Sequence, residues 1–181
     1  MATYWKQLSR HVLYSSDWLT VTLDKVELPD GKVIENFELM HFPHTAVGIV
    51  PVNEKGEILL VRAYRYINET FQWEIPGGVV EHEEAILEAC KRELVEETGW
   101  EAGLFTPLIT FFPHKATCNQ KFHIYLAQEL VQVSGEFQKV EITEVKFHSI
   151  GEVKKLIDSG EIDDGMSLVA LQRYMLRNAH L

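Results

Sequence analysis

GVVEHEEAILEACKRELVEETGW, residues 78–100, sets Gly78, Glu84, the run Arg92-Glu93-Leu94, the pair Glu96-Glu97 and Gly99 in order, with five, seven, one and one residues between them. Gly77-Gly78 after Pro76 reads as a turn whose backbone lets another group come close. Residues from about Glu83 to Glu97 favour helix, and Gly99 is the expected C-terminal stop. At about 100° per residue, Ile86, Leu87, Cys90 and Leu94 form one apolar stripe. Glu93, Glu96 and Glu97 span an arc of roughly 80–100° beside it, so the three carboxylates are expected to converge near the helix end. Three acids at a helix C-terminus oppose the macrodipole and repel one another, which favours a compensating cation. Mg²⁺ suits carboxylate oxygens and keeps sites for phosphate, and Mn²⁺ is the alternative. Arg92 is expected on another side of the helix, tied to Glu88 and to Glu84 as an orienting partner. A solvated acidic face is the plain alternative; the two glycines at fixed distances favour the metal.

This run resembles the signature of the Nudix hydrolases, enzymes that cleave nucleoside diphosphates linked to another group. Trp100 stands where that family more often has an aliphatic residue. The resemblance implies a catalytic set of Glu84, Arg92, Glu93, Glu96 and Glu97. It also implies metal ligands from the Gly77 carbonyl, Glu93, Glu96, Glu97 and Glu141, with Glu136, Glu96 or Glu97 open as general base. Outside the signature, VRAYRY, WEIPGG and DSGEIDDGMSLVALQRY resemble the ADP-ribose and ADP-sugar pyrophosphatase branch, although that branch usually has Pro-Ala-Gly where this chain has Pro76-Gly77-Gly78. Arg65 and Glu74 match its motif. A guanidinium can grip a phosphate with two donors, and Glu74 is expected to hold either the substrate or Arg65. The branch further implies a homodimer, because its N-terminal strand region commonly exchanges with a second subunit.

The chain has 181 residues, 46% hydrophobic and 24% charged, with a formal charge of −10. That suits one soluble globular domain with a small appendage. The negative charge argues against binding a nucleic-acid backbone, and so against an mRNA-decapping role. The N-terminus lacks a signal-peptide core and no apolar run approaches the ~20 residues of a membrane span; cytoplasm is the expectation. Cys90 and Cys118 make neither a disulfide framework nor a zinc spacing. Cys90 is expected in the core.

Residues 12–42 alternate as strands around the turn Leu28-Pro29-Asp30-Gly31. A second hairpin turns at Asn53–Gly56, and FQWEIPGG is a short strand leading into the signature. Strands follow over 104–112, 121–129 and about 141–148, then a helix closed by Gly160 and an amphipathic helix from about Met166 carrying Leu168, Val169, Leu171, Met175 and Leu176 on its apolar side. Between two of these strands, the loop holding His114, Lys115, Asn119 and Gln120 has the polarity of either recognition or plain solvation. The fold class is α+β. With the resemblance it becomes a Nudix fold, a mixed β-sheet sandwiched between α-helices, with an N-terminal β-hairpin extension: residues 1–44 a hairpin region and 45–181 the hydrolase domain. The expected activity is Mg²⁺-dependent hydrolysis of ADP-ribose or an ADP-sugar to a nucleoside monophosphate and a sugar phosphate. A GDP-sugar, a dinucleoside polyphosphate or NADH are alternative substrates, and a non-catalytic nucleotide sensor is the alternative from another class.

Overall fold

Leu28 and Gly31 close the first turn as the sequence predicts: the Gly31 N–H donates to the Leu28 carbonyl at 3.0 Å, and Gly31 has φ 83°. The computed structural model describes residues 4–135, 137 and 140–178. The turn joins β2 (Thr20–Glu27) to β3 (Val33–His41), and β1 (Lys6–Ser15) adds to the outer side of β2, giving an antiparallel sheet ordered β1-β2-β3. The hairpin is thus a three-stranded sheet. Every residue of β1 is exposed, so no inside-outside alternation is imprinted on its sequence. The chain divides into two compact units, and this sheet belongs to the first, Met1–Thr45 with Phe112–Lys121. Within it, Asn119 bridges the Phe42 backbone, accepting from its N–H at 2.7 Å and donating to its carbonyl at 3.1 Å. Arg10 donates to both oxygens of Asp24 at 2.8 and 2.7 Å, and Thr22 links Asp24 to His41.

The second unit, Ala46–Phe111 with Phe122–Leu181, holds the remaining elements. They are β4 (Ala46–Pro51), β5 (Ile58–Arg65), β6 (Thr70–Glu74), β7 (Gly77–Val79), α1 (Ile86–Thr98), β8 (Trp100–Phe111), β9 (Phe122–Gln132), β10 (Ile142–His148), α2 (Ile150–Asp158) and α3 (Gly165–Asn178). A mixed sheet is ordered β7-β4-β9-β8 with β4 and β9 parallel, and a second, antiparallel sheet is ordered β10-β5-β6. All of β4 is buried, as a strand covered on both faces must be. Val47 and Ile49 pack with Ala89, Cys90 and Leu94 of α1, whereas Val50 and Val52 pack with Ala170, Leu171 and Tyr174 of α3. Helices therefore cover both faces of the mixed sheet.

Three local expectations change. Gly77-Gly78 pair with Gly48 and Val47 as the start of β7 rather than forming a free turn. In α1 the buried positions are Ala89, Cys90, Glu93, Leu94 and Thr98, while Leu87 is 38% exposed; the stripe is rotated toward Glu93. In α3 the buried residues are Ser167, Ala170, Leu171 and Tyr174, and Leu176 is exposed. Small residues let this face pack closely, so counting large apolar side chains misplaces it. Among the described residues no helix is long and apolar enough to cross a membrane.

Candidate active site

α1 ends where the sequence says it should, with Gly99 in the left-handed region (φ 74°) and its N–H donating to the Val95 carbonyl. Its last two turns lie against β7. Gly78 makes a close approach: a Cβ there would meet the Glu93 carboxylate, which would have to move aside. At Gly77 a Cβ would run into the Val47 carbonyl and lie 3.2 Å from the Met166 methyl. The alanine usual in the resembling branch therefore has no room here unless the backbone shifts. The Gly77 N–H donates to Glu97 Oε2 at 2.8 Å.

Glu93 is buried, and burial raises its carboxyl above the ordinary range against the opposing pull of the Arg92 guanidinium. Burial pushes Glu97 up to about 8; the Gly77 N–H opposes this and the charge of Glu93 adds to it. A buried carboxyl and a half-buried one, each raised above the ordinary range, make a site where negative charge is unfavourable without a further positive partner.

Arg92 corrects the expectation that it lies on another side of the helix with Glu88. It joins the acids instead, donating to Glu84 at 2.9 and 3.0 Å, Glu93 at 2.8 Å, Glu96 at 3.2 Å and the Val79 carbonyl at 3.0 Å. Glu88 pairs with Lys91. Glu84 also accepts the Glu81 N–H, and Arg92 above all holds its carboxyl below the ordinary value. Glu96 is exposed and leans to Arg92. Among the described residues no three His, Cys, Asp or Glu side chains are gathered at ligating distances, so the expected convergence of three carboxylates is not preformed. Glu93 and Glu97 face β7, while Glu96 stands apart. The donors still fit a hard divalent cation in kind: carboxylate oxygens beside the backbone of Gly77.

Arg65 and Glu74 form a second cluster on neighbouring strands. The Arg65 Nε donates to both Glu74 oxygens at 2.8 and 3.1 Å, and one terminal nitrogen makes a further short contact with Glu74. The other lies 3.4 Å from Glu141. Of the two roles expected for Glu74, the structure displays the hold on Arg65. Arg65 also lowers, and Glu74 raises, the carboxyl of Glu97, so the two clusters share one electrostatic field. Glu141 is turned to Arg65. Glu136 lies outside the described residues. In the first unit His114 bonds Thr117 and Asn119 holds Phe42, which accounts for two of the loop's polar residues structurally. Cys90 is a core residue as expected, and Trp73 is buried in the core as well. Missed in the sequence were Val79, whose backbone anchors Arg92, and Met166 and Ser167, which reach this region from α3; only the resemblance of the tail hinted at the last two.

A family model of the NUDIX domain matches residues 42–168. This chain belongs to the Nudix family. A model of the nucleoside diphosphate sugar hydrolase N-terminal domain matches residues 5–40. An ADP-ribose pyrophosphatase of Bacillus subtilis is 30% identical over 176 residues, covering 96% of this chain and 94% of the relative. A CMP-5'-(N-acetyl-N-hydroxy-3-aminopropyl)phosphonate hydrolase of Streptomyces rubellomurinus is 31% identical over 156 residues, 86% of this chain and 75% of that one. A crystal structure of an ADP compounds hydrolase superposes with TM-score 0.86 at 23% identity, covering 97% of this chain and 94% of that one, and so shows the same fold. This Nudix protein is an enzyme, a pyrophosphohydrolase.

Proposed function

We propose that this Nudix enzyme hydrolyses ADP-ribose or an ADP-sugar with Mg²⁺, releasing AMP and a sugar phosphate. The observation that carries the reading is the pair of buried Glu93 and half-buried Glu97 set against the glycine backbone of β7, a charge arrangement that a hard cation would complete. Glu93, Glu97 and the Gly77 carbonyl would hold the ion, with Glu96 and Glu141 joining by rotating off Arg92 and Arg65. Mg²⁺ there would neutralise the diphosphate and make a water more nucleophilic.

The chain's own groups do the rest. Arg92 keeps Glu84, Glu93 and the Val79 carbonyl in register. Arg65, oriented by Glu74, presents its remaining donors to a phosphate oxygen. A water oxygen bonds to one phosphorus, the bridging P–O bond breaks toward the other phosphate, and the water's proton passes to a carboxylate, Glu96 or Glu97. Relatives named for ADP-ribose support the substrate class, and the one named as hydrolase of a CMP phosphonate supports hydrolysis of a nucleotide conjugate with another base.

The same reading makes residues 1–44 a dimer-forming region, residues 45–181 the hydrolase domain, and the protein a cytoplasmic homodimer. Trp5, Leu8, Val12, Leu13 and Tyr14 are large apolar side chains left exposed around one edge strand, and a second copy of the chain would cover them. The substrate test is phosphate-coupled hydrolysis of ADP-ribose, ADP-sugars, GDP-sugars, dinucleoside polyphosphates and NADH, each with Mg²⁺ and with chelator. Preference for ADP-ribose or an ADP-sugar, abolished by chelator, is expected. Preference for another nucleotide would move the substrate, and binding without cleavage across the panel would favour a sensor.

A further inference from the structure

Ile75 and Pro76 are the two residues by which the chain leaves β6 in one sheet and enters β7 in the other. Proline has no N–H, so the step carries few hydrogen bonds. The Pro76 carbonyl accepts from the Ile49 N–H at 2.8 Å. The Ile75 N–H donates at 3.0 Å to the hydroxyl of Ser167, a side chain of α3 that is 0% exposed. The backbone that carries this side chain is itself held, because Asp164 Oδ1 caps α3 by accepting from the N–H groups of Met166 at 2.9 Å and Ser167 at 3.0 Å. The neighbouring Met166 side chain fills the space over Gly48 and Gly77.

Two residues beyond Ile75, Gly77 offers its N–H to Glu97. A buried N–H that loses its acceptor is left unsatisfied at a cost in free energy, and the cheapest relief for so short a step is a shift of the backbone. Such a shift carries Gly77 with it, and the geometry of a reacting site tolerates less than about 1 Å.

We propose that Ser167 is a positioning residue for the metal site: through the Ile75 N–H it sets where Gly77 presents its N–H to Glu97 and its carbonyl to the cation. This rests on the metal reading proposed above. Ser167 touches neither substrate nor ion; α3, far along the chain from the signature, completes the site by holding the step that leads into the glycines of β7.

The test is Mn²⁺ binding to full-length protein without substrate, read from the electron paramagnetic resonance of free Mn²⁺, with kcat, KM and thermal unfolding on the same samples. Ser167→Ala is expected to weaken Mn²⁺ binding about 10–100-fold, the range for groups that orient metal ligands, and to lower kcat while KM stays within about twofold. Ser167→Thr, which keeps the hydroxyl, restores most of the affinity. Should Ser167→Ala fail to fold, Asp164→Ala loosens the same cap from a partly exposed position and is expected to weaken binding several-fold. A folded Ser167→Ala protein, or failing that a folded Asp164→Ala protein, that melts earlier yet binds Mn²⁺ as wild type would overturn the proposal. Wild-type protein that binds no Mn²⁺ would overturn both the proposal and the metal reading beneath it.

Discussion

All six residues of β4 are buried and all ten of β1 are exposed, although both are hydrogen-bonded strands with apolar side chains. β4 is held by packing on both faces, from α1 on one and α3 on the other. Among the described residues β1 has β2 as its single strand neighbour, and the ion pair Arg10–Asp24 ties the two side by side. The contrast teaches that apolar content alone does not say how a strand is held. β4 is finished within one chain, whereas β1 carries an apolar surface that one chain leaves open.

The largest break in that contrast comes from the core. Leu94→Ala removes a fully buried side chain facing β4 and is expected to cost about 2–5 kcal/mol in denaturant unfolding; a cost below about 1 kcal/mol would mean that α1 does not hold the mixed sheet. Arg10→Ala leaves the Asp24 carboxylate without its partner. The expected loss is about 1–2 kcal/mol, kept modest because Arg10 is exposed while Asp24 is buried. Its pH signature is specific. The Arg10 hydrogen bond holds the folded Asp24 carboxyl below its ordinary 3.8, so its contribution is present above that value and lost as pH falls through the lowered one. Arg10→Ala is expected to remove this acid-side loss, as followed by unfolding between about pH 5 and 2.

Glu97 has the opposite sign. Folded, it keeps its proton to about 8, against an ordinary 4.5, so over that window the folded state binds more protons than the unfolded one. Stability of metal-free protein is expected to fall as pH rises through the window. Glu97→Gln flattens the decline in a pH series of melting curves, and an unchanged slope would contradict the assigned burial. The smallest effect is at β1. Val12→Ala is expected to change monomer unfolding by no more than about 0.5 kcal/mol while weakening self-association in sedimentation. A monomeric wild type would remove the second copy from the comparison.

Much of the site was legible because chemistry and spacing coincide in the signature. Gly99 sits in the left-handed helix end that the reading gives it, and Glu93 and Glu97 lie together against β7, whereas Gly78 lies in a strand where the reading has a turn and Glu93 lies in the buried stripe where the reading sets it beside one. Arg92 was misplaced because helical angles locate a Cβ and not the end of a long guanidinium, which swings back to Glu93 and Glu96. β1 was missed because an exposed edge strand carries no alternation. Ser167 was invisible for a different reason: its work is a single hydrogen bond to a backbone 92 residues away, and no local pattern reports that.

The most direct test of the central claim is the turnover of ADP-ribose with saturating Mg²⁺ by wild type and by Glu97→Gln, the two matched for folding by circular dichroism and elution volume. The account predicts AMP and ribose 5-phosphate from wild type and at least about 10²-fold slower turnover from the variant. Near-wild-type turnover by a folded Glu97→Gln would contradict it.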